Sequence, residues 1–175
     1  FFMKKSLSIV LSLIMIITTL CALPFTAFAT STFGNVGSDV TYELTSNGYL
    51  YMRTTGASED YISTADYGAN DSPFYGKTNI RAVYIEENID RIGEGVFFNC
   101  TGLEIIGLSH ATDLDEIGEY AFSGCTSLEK VSYSNKNGGS IDTIGEYAFE
   151  GCPNLQSITL PESLKTIGKI AFNNC

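Results

Sequence analysis

Cysteines, a single histidine and a run of acids are the residues whose types and spacing could do chemistry. Cys100, Cys125, Cys152 and Cys175 step along the chain by 25, 27 and 23 residues. Four cysteines in an exported protein ordinarily suggest two disulfides. Each of these, however, fills the same slot of a repeated frame, three residues after a Phe. That slot favours a ladder of free thiols buried as small apolar groups. A metal site needs ligands that converge on one point, which a straight ladder does not provide. His110 follows Ser109 and precedes Asp113, so a Ser-His-acid set can be drawn. Neighbouring residues in a loop do not make a nucleophile–base pair facing an oxyanion hole, and His110 is expected as an exposed loop residue. Asp113, Asp115, Glu116 and Glu119 offer oxygens of the kind calcium uses. Neither an EF-hand frame nor the nonapeptide of calcium-binding β-rolls accompanies them, so a solvated acidic edge is expected. The sequence thus names no catalytic residue, cofactor or metal.

The elements that must position these residues repeat. Four segments share the frame I-G-x-x-(A/V)-F-x-x-C: Ile92 to Cys100, Ile117 to Cys125, Ile144 to Cys152 and Ile167 to Cys175. A second frame starts three residues after each internal Cys: Leu103-x-x-Ile106-x-Leu108, Leu128-x-x-Val131-x-Tyr133 and Leu155-x-x-Ile158-x-Leu160. A further copy, Ile80-x-x-Val83-x-Ile85, precedes the first Ile-Gly. Phase is kept through every copy, and a fixed period of this length marks a stacked architecture. The second frame alternates as a strand does. Phe and Cys three apart suit one helical or 3-10 turn, and the Gly of Ile-Gly suits a bend or a close backbone approach. Each unit is therefore expected to run strand, bend and turn, returning one rung higher. A lone unit cannot bury enough apolar surface to offset its ordering, so neighbours must share a core. The extra residues fall in one place. Leu160 to Ile167 is seven residues, Leu108 to Ile117 nine and Tyr133 to Ile144 eleven. The connections Ser109 to Glu116 and Ser134 to Thr143 should bulge from one edge, with Asn137-Gly138-Gly139 at a loop tip.

Residues 1–29 read as an address. Met3-Lys4-Lys5 opens a basic segment, Leu7 to Leu20 is apolar apart from Ser and Thr, and Ala27-Phe28-Ala29 is a cleavage signature. That is the layout of a secretory signal peptide, with cleavage expected after Ala29. The apolar run is short for a membrane span, and Leu20 before Cys21 argues against lipoprotein processing. Phe1 and Phe2 precede the plausible start. Losing Lys4 and Lys5 leaves 8 bases against 20 acids. A surface that acidic is a poor match for nucleic acid or an anionic membrane. With 44% apolar and 17% charged residues the chain is too greasy to be disordered.

Residues 30–79 precede the array. Val40, Tyr42 and Leu44 alternate, as do Leu50 and Met52, around Asn47-Gly48. A three-residue loop, Ser46 to Gly48, pairs Leu44 with Leu50 and Tyr42 with Met52 on one face, and register follows the buried face. This hairpin is expected to cap the open end of the first rung. Residues 54–79 are expected as a linking loop, with Pro73-Phe74-Tyr75 tucked beneath the cap.

The units from Ile80 to Cys175 resemble the BspA-like leucine-rich repeats of bacterial surface proteins. The hairpin from Leu44 to Met52, with Pro73-Phe74, is similar to the lead-in module found before such repeats. Glu86 stands where the frame favours Pro (Pro161 keeps it), and Tyr133 replaces an aliphatic. The resemblance implies an α/β-type leucine-rich-repeat solenoid: short parallel strands with short helical or 3-10 turns, capped by the β-hairpin over 30–79 and running as about four rungs over 80–175. It also implies a secreted or cell-surface, non-catalytic binding or adhesion module, often one part of a larger surface protein, and identifies no ligand. The chain is expected as a monomeric module of a longer chain, with an extracellular protein or glycan as ligand.

Two surfaces are candidates for that ligand. One is the outward strand row, Ala82, Ile105, Lys130 and Ser157, followed by Tyr84, Gly107, Ser132 and Thr159. The other is the edge with the insertions, represented by His110 and Asn137. Two other roles fit the same sequence: the recognition arm of a longer surface hydrolase, or an architectural spacer. The array stops mid-repeat at Cys175 with no cap, so a continuation of the gene is expected.

Overall fold

The computed structural model describes residues 31–55, 62–68, 70–133 and 140–175, all within the compact unit Ser31–Cys175. The signal-peptide reading of 1–29 and the loop tip with Asn137 lie outside the described residues.

Strand-forming alternation builds two sheets on one coil. The larger contains β1 (Thr32–Asn35), β2 (Val40–Leu44), β3 (Tyr49–Thr54), β5 (Ala82–Ile85), β7 (Ile105–Leu108), β9 (Lys130–Tyr133) and β11 (Ser157–Ile158), in that spatial order. The smaller contains β4 (Ile62–Ser63), β6 (Ile89–Ile92), β8 (Glu116–Ile117), β10 (Thr143–Ile144) and β12 (Thr166–Ile167). β1, β2 and β3 are antiparallel; from β3 onward every neighbour is parallel. Leu44 sits opposite Leu50 and Tyr42 opposite Met52, with Gly48 at φ 86° in the turn. The inward row Leu50–Val83–Ile106–Val131–Ile158 crosses the large sheet in register. It faces the inward isoleucines Ile92, Ile117 and Ile144 of the small sheet, all fully buried.

The turn segments send a column of rings into the core. Phe74, Phe97, Phe122, Phe149 and Phe172 stack face to face with centroids 5.1, 5.2, 5.4 and 5.3 Å apart. The spacing slightly exceeds the roughly 4.8 Å rung rise, as offset stacking requires. Phe74 also meets Tyr42 edge to face at 4.8 Å. The stretch expected as a linking loop therefore contributes β4 to the small sheet and Phe74 to the ring column. It stands as a degenerate rung whose large-sheet strand is supplied by β3.

The described residues contain no helix, and the turn segments close by single bonds three residues back instead of forming helical runs. The amides explain why. Phe97, Phe122 and Phe149 donate to Ala121, Ala148 and Ala171 of the next rung, each at 2.8 Å. Asn99, Gly124 and Gly151 do the same to Ser123, Glu150 and Asn173. Alternate amides close local turns, as Ser123 does to Tyr120 at 3.1 Å. Left-handed residues bracket each segment: Gly95, Tyr120, Tyr147 and Ile170 before it, and Asn99, Gly124, Gly151 and Asn174 near its end. A helix would need those amides for its own i–4 carbonyls, whereas the stack uses them to join rungs.

The Ile-Gly glycines are set by close approach. A Cβ on Gly118 would stand 2.8 Å from the backbone of Ile92 and Gly93, and one on Gly145 would stand 2.6 Å from the Glu119 nitrogen. Gly118 and Gly145 also donate across the gap to Ile92 and Ile117 at 2.8 Å.

Candidate functional site

The thiols, the histidine and the acids do not assemble a reactive centre. Cys100, Cys125 and Cys152 are buried and Cys175 is exposed, and all four are free. Each thiol donates to the Phe carbonyl of the preceding rung: Cys100 to Phe74 at 2.9 Å, and Cys125, Cys152 and Cys175 to Phe97, Phe122 and Phe149 at 3.3 Å. Burial pushes the Cys100 and Cys152 thiols up to about 12 and Cys125 well above its ordinary value. His110 is exposed and meets the Ser109 hydroxyl through Nδ1 at 3.2 Å. Asp113 accepts instead from the Asn88 amide at 3.0 Å and the Thr112 hydroxyl at 2.9 Å.

The acidic edge is knitted across rungs. Arg91 pairs with Asp66 on one side and with Glu116 at 3.1 Å on the other, and Lys165 pairs with Asp142 at 2.9 Å. Among the described residues, no three His, Cys, Asp or Glu side chains are placed to share a metal. The two insertions do share an edge, since the Ser140 hydroxyl donates to Thr112 and Leu114 carbonyls at 2.9 and 2.8 Å. Ala111 and Leu114 turn inward and are buried, so the first insertion also fills core.

The outer face of the large sheet brings most of the candidate residues together. Tyr49–Ala82–Ile105–Lys130–Ser157 forms one row. Phe33–Glu43–Tyr51–Tyr84–Gly107–Ser132 forms the next. Ile105 is 36% exposed, Lys130, Ser157 and Thr159 are exposed, and Tyr84 and Ser132 are half-buried. Ala82 and Gly107 were expected at the surface but are buried. The reason at Gly107 is geometric: the Tyr84 ring lies over it, where a Cβ would stand 2.5 Å from the ring. His110 lies beyond the end of β7, on the edge and not on this face.

Sequence reasoning missed the aromatic half of the face, because it belongs to the hairpin. Tyr51 stacks on Tyr84 at 5.2 Å and 17°, and Tyr49 meets the same ring edge-on at 6.2 Å. Arg53 lies over the Tyr51 ring at 5.4 Å and is held by Glu86 at 2.8 Å and Glu43 at 3.3 Å. Phe33 is 69% exposed. Phe33, Thr41, Glu43, Tyr51 and Arg53 line an open cleft of about 360 Å³. The signal was available: once Leu50 and Met52 point inward, period-two alternation sends Tyr49 and Tyr51 outward. The face runs from aromatic and charged at β1–β5 to polar at β9–β11. It can stack planar groups and form hydrogen bonds, and it holds no nucleophile beside a base.

The BspA type leucine rich repeat region matches residues 69–175 in six copies. Its start lies before Ile80 and takes in Phe74, in keeping with the ring column. A Treponema pallidum leucine rich repeat protein is 27% identical, with a TM-score of 0.54 over 81% of this chain and 68% of that one. A Bacteroides ovatus leucine-rich repeat protein is 27% identical, with a TM-score of 0.52 over 78% of this chain and 38% of the other. A Eubacterium ventriosum leucine-rich repeat protein shares the fold at 24% identity, with a TM-score of 0.60 over 79% of this chain and 40% of that one. This chain thus covers well under half the length of the latter two. No curated protein is significantly similar to it. With the match covering more than half the chain and the rungs stacked in register, the chain belongs to the BspA type leucine rich repeat family.

Proposed function

We propose that the chain is an exported, non-catalytic binding module that recognises a protein or glycan at a cell surface or in matrix through the outer face of its large sheet. The observation that carries this is the cluster Tyr49, Tyr51, Tyr84 and Ile105 on a hydrogen-bonded, rigid surface. Solvent-facing aromatic groups on a fixed scaffold bind with little ordering cost. The Glu43–Arg53–Glu86 set supplies directional polar contacts at the same place. Lys130, Ser132, Ser157 and Thr159 extend the face by further rungs, as an elongated ligand requires. Export rests on the leader read in residues 1–29, and surface attachment on the family to which the repeats belong.

The test is a screen of the purified chain against immobilised glycans and matrix proteins, repeated with Tyr51, Tyr84 and Ile105 all changed to Ser. Partners that bind through this face lose about tenfold or more in affinity, at the lower end for removing a central aromatic anchor. Unchanged binding to every captured partner, with the variant folded by circular dichroism, overturns the assignment of this face.

A further inference from the structure

A second site follows from a gap in an aromatic column on a different part of the coil. The amide of Tyr67 donates to Glu94 at 2.8 Å, that of Gly95 to Glu119 at 2.9 Å, that of Tyr120 to Glu146 at 3.0 Å and that of Tyr147 to Lys169 at 3.0 Å. These bonds put Tyr67, Gly95, Tyr120, Tyr147 and Ile170 in one register column. Tyr120 and Tyr147 stack almost parallel, 4.7 Å apart and 4° from coplanar. Gly95 occupies the next position and carries no ring. In its place is a cleft of about 310 Å³ lined by Tyr67, Glu94, Gly95, Phe98 and Tyr120. Phe98 stands edge-on to Tyr120 at 6.1 Å.

We propose that this slot binds an aromatic side chain flanked by lysine or arginine, from a partner peptide, which takes the place of the ring absent at Gly95. One rung step separates Gly95 from Tyr120, so a guest ring lying over Gly95, beside Phe98, meets the side of Tyr120 turned away from Tyr147 at the spacing the column already uses. The rim explains the flanking cation. Glu94, Glu119 and Glu146 occupy the same slot of successive rungs, and among the described residues neither the Glu94 nor the Glu119 carboxylate is paired with a cation. The Tyr120 hydroxyl is held above its ordinary range by burial and then by Tyr147, Glu119, Glu150 and Glu146. A positive group beside the guest ring is favoured both by those carboxylates and by the tyrosine faces. A hexose fits less well, because the lining offers few polar groups to replace the water its hydroxyls would lose.

The chain contains no Trp, so a tryptophan probe reports without background. The experiment titrates the chain into an uncharged-ended Gly-Lys-Trp-Lys-Gly peptide and follows indole emission and anisotropy. Gly-Glu-Trp-Glu-Gly and methyl glucoside serve as comparisons. A saturable, blue-shifted complex is expected with the lysine peptide, about tenfold weaker with the glutamate peptide and not displaced by the glucoside. Gly95→Tyr has a φ that Tyr120 and Tyr147 already adopt, at 52° and 57°, but its Cβ would stand 2.8 Å from the Tyr67 carbonyl oxygen; where the rung yields to it, the ring fills the slot and should abolish binding. Should Gly95→Tyr fail to fold, Tyr120→Leu, on a half-exposed side chain, removes the stacking wall and should weaken binding about tenfold. Tyr84→Ser, on the sheet face, should leave it unchanged, which separates this site from the one proposed above. The absence of saturable binding by the unaltered chain overturns the proposal. So does equal binding by the folded slot variants, or displacement by the glucoside.

Discussion

The Cys125 thiol donates to the Phe97 carbonyl of the rung before it at 3.3 Å, and the Phe122 ring on its own rung lies flat against that of Phe97. Phe97 thus receives both the polar and the apolar contact that set the spacing of the stack. The thiol satisfies a second lone pair on a carbonyl that already accepts from the Cys100 amide, a role an aliphatic residue of the same size would leave vacant. The consequence is chemical inertness. With Cys100 and Cys152 pushed up to about 12 by burial, about one molecule in ten thousand carries the reactive thiolate at pH 8. Burial also raises the Cys175 thiol, though it is the one exposed thiol among the four; iodoacetamide at pH 8, followed by peptide mapping, should therefore modify Cys175 well before the others. Cys100, Cys125 and Cys152 should be modified only in denaturant. Rapid native labelling of Cys125 would contradict the ladder.

The glycine after each isoleucine is a second such constraint. Gly145→Ala places a methyl group 2.6 Å from the Glu119 nitrogen, which belongs to a neighbouring backbone and not to a flexible side chain. The rungs must move apart, and a loss of about 3 kcal/mol is expected from overpacking. Gly151 is the informative contrast. Its φ is 68°, yet the same slot holds Asn99 and Asn174 at 56°, and the nearest atom to an added Cβ is 3.8 Å away. Gly151→Asn should therefore change stability by about 0.5 kcal/mol or less. Urea denaturation followed by circular dichroism measures both; equal effects would refute the distinction between close approach and backbone conformation.

Tyr133 breaks the aliphatic pattern of its frame, and the structure shows the penalty. It lies opposite Leu108 at the end of β9, and its hydroxyl is buried with no hydrogen-bond partner among the described residues. Burial raises the phenol to about 12. Tyr133→Phe removes an unsatisfied polar group and keeps the ring, so a gain of about 1 kcal/mol is expected. The sign with pH follows: burial penalises the phenolate in the folded state, so the group adds no pH dependence below 10.0 and stability falls as pH rises from there toward 12. The variant should lack that alkaline decline, and its tyrosinate absorbance should lose one high-pH transition. A loss of stability in Tyr133→Phe would mean that the hydroxyl has a partner.

How much of this was legible differs from element to element. Phe97, Phe122, Phe149 and Phe172 share a frame whose phase never slips, so their stacking followed from sequence alone. The same holds for the glycines of Ile-Gly, where a close approach was one of two readings and is the one realised. The choice between a helical run and single turns was not legible, because a Phe–Cys spacing of three fits both; periodicity carries no information on where an amide goes. Phe74 was hard to place because its rung has lost the aliphatic frame and the Cys, leaving a Pro-Phe pair within a Gly- and Ser-rich stretch. The aromatic half of the sheet face was missed for a topological reason. Tyr49 and Tyr51 gain Tyr84 as a neighbour only once β3 pairs with β5 in parallel, a long-range contact that no local pattern specifies.

The cross-rung ion pairs predict an acid response. Arg91 is clamped between Asp66 and Glu116. Burial pushes the Asp66 carboxyl up, but the Glu94 amide and the Arg91 guanidinium outweigh it and hold the group below its ordinary 3.8. A depressed carboxyl contributes stability that is intact above the unfolded value and lost as pH falls through the folded one. Asp66 is more than half exposed, so solvent screening keeps the contribution to about 1 kcal/mol at most. Arg91→Gln should therefore lower the urea midpoint at pH 7 modestly. The difference from the unaltered chain should shrink toward zero as pH is taken below 3.8, because the acid then no longer needs its partner. High salt at pH 7 should narrow it as well. A difference that persists undiminished at pH 2 would assign the role of Arg91 to packing of its aliphatic stem against the small sheet and not to charge.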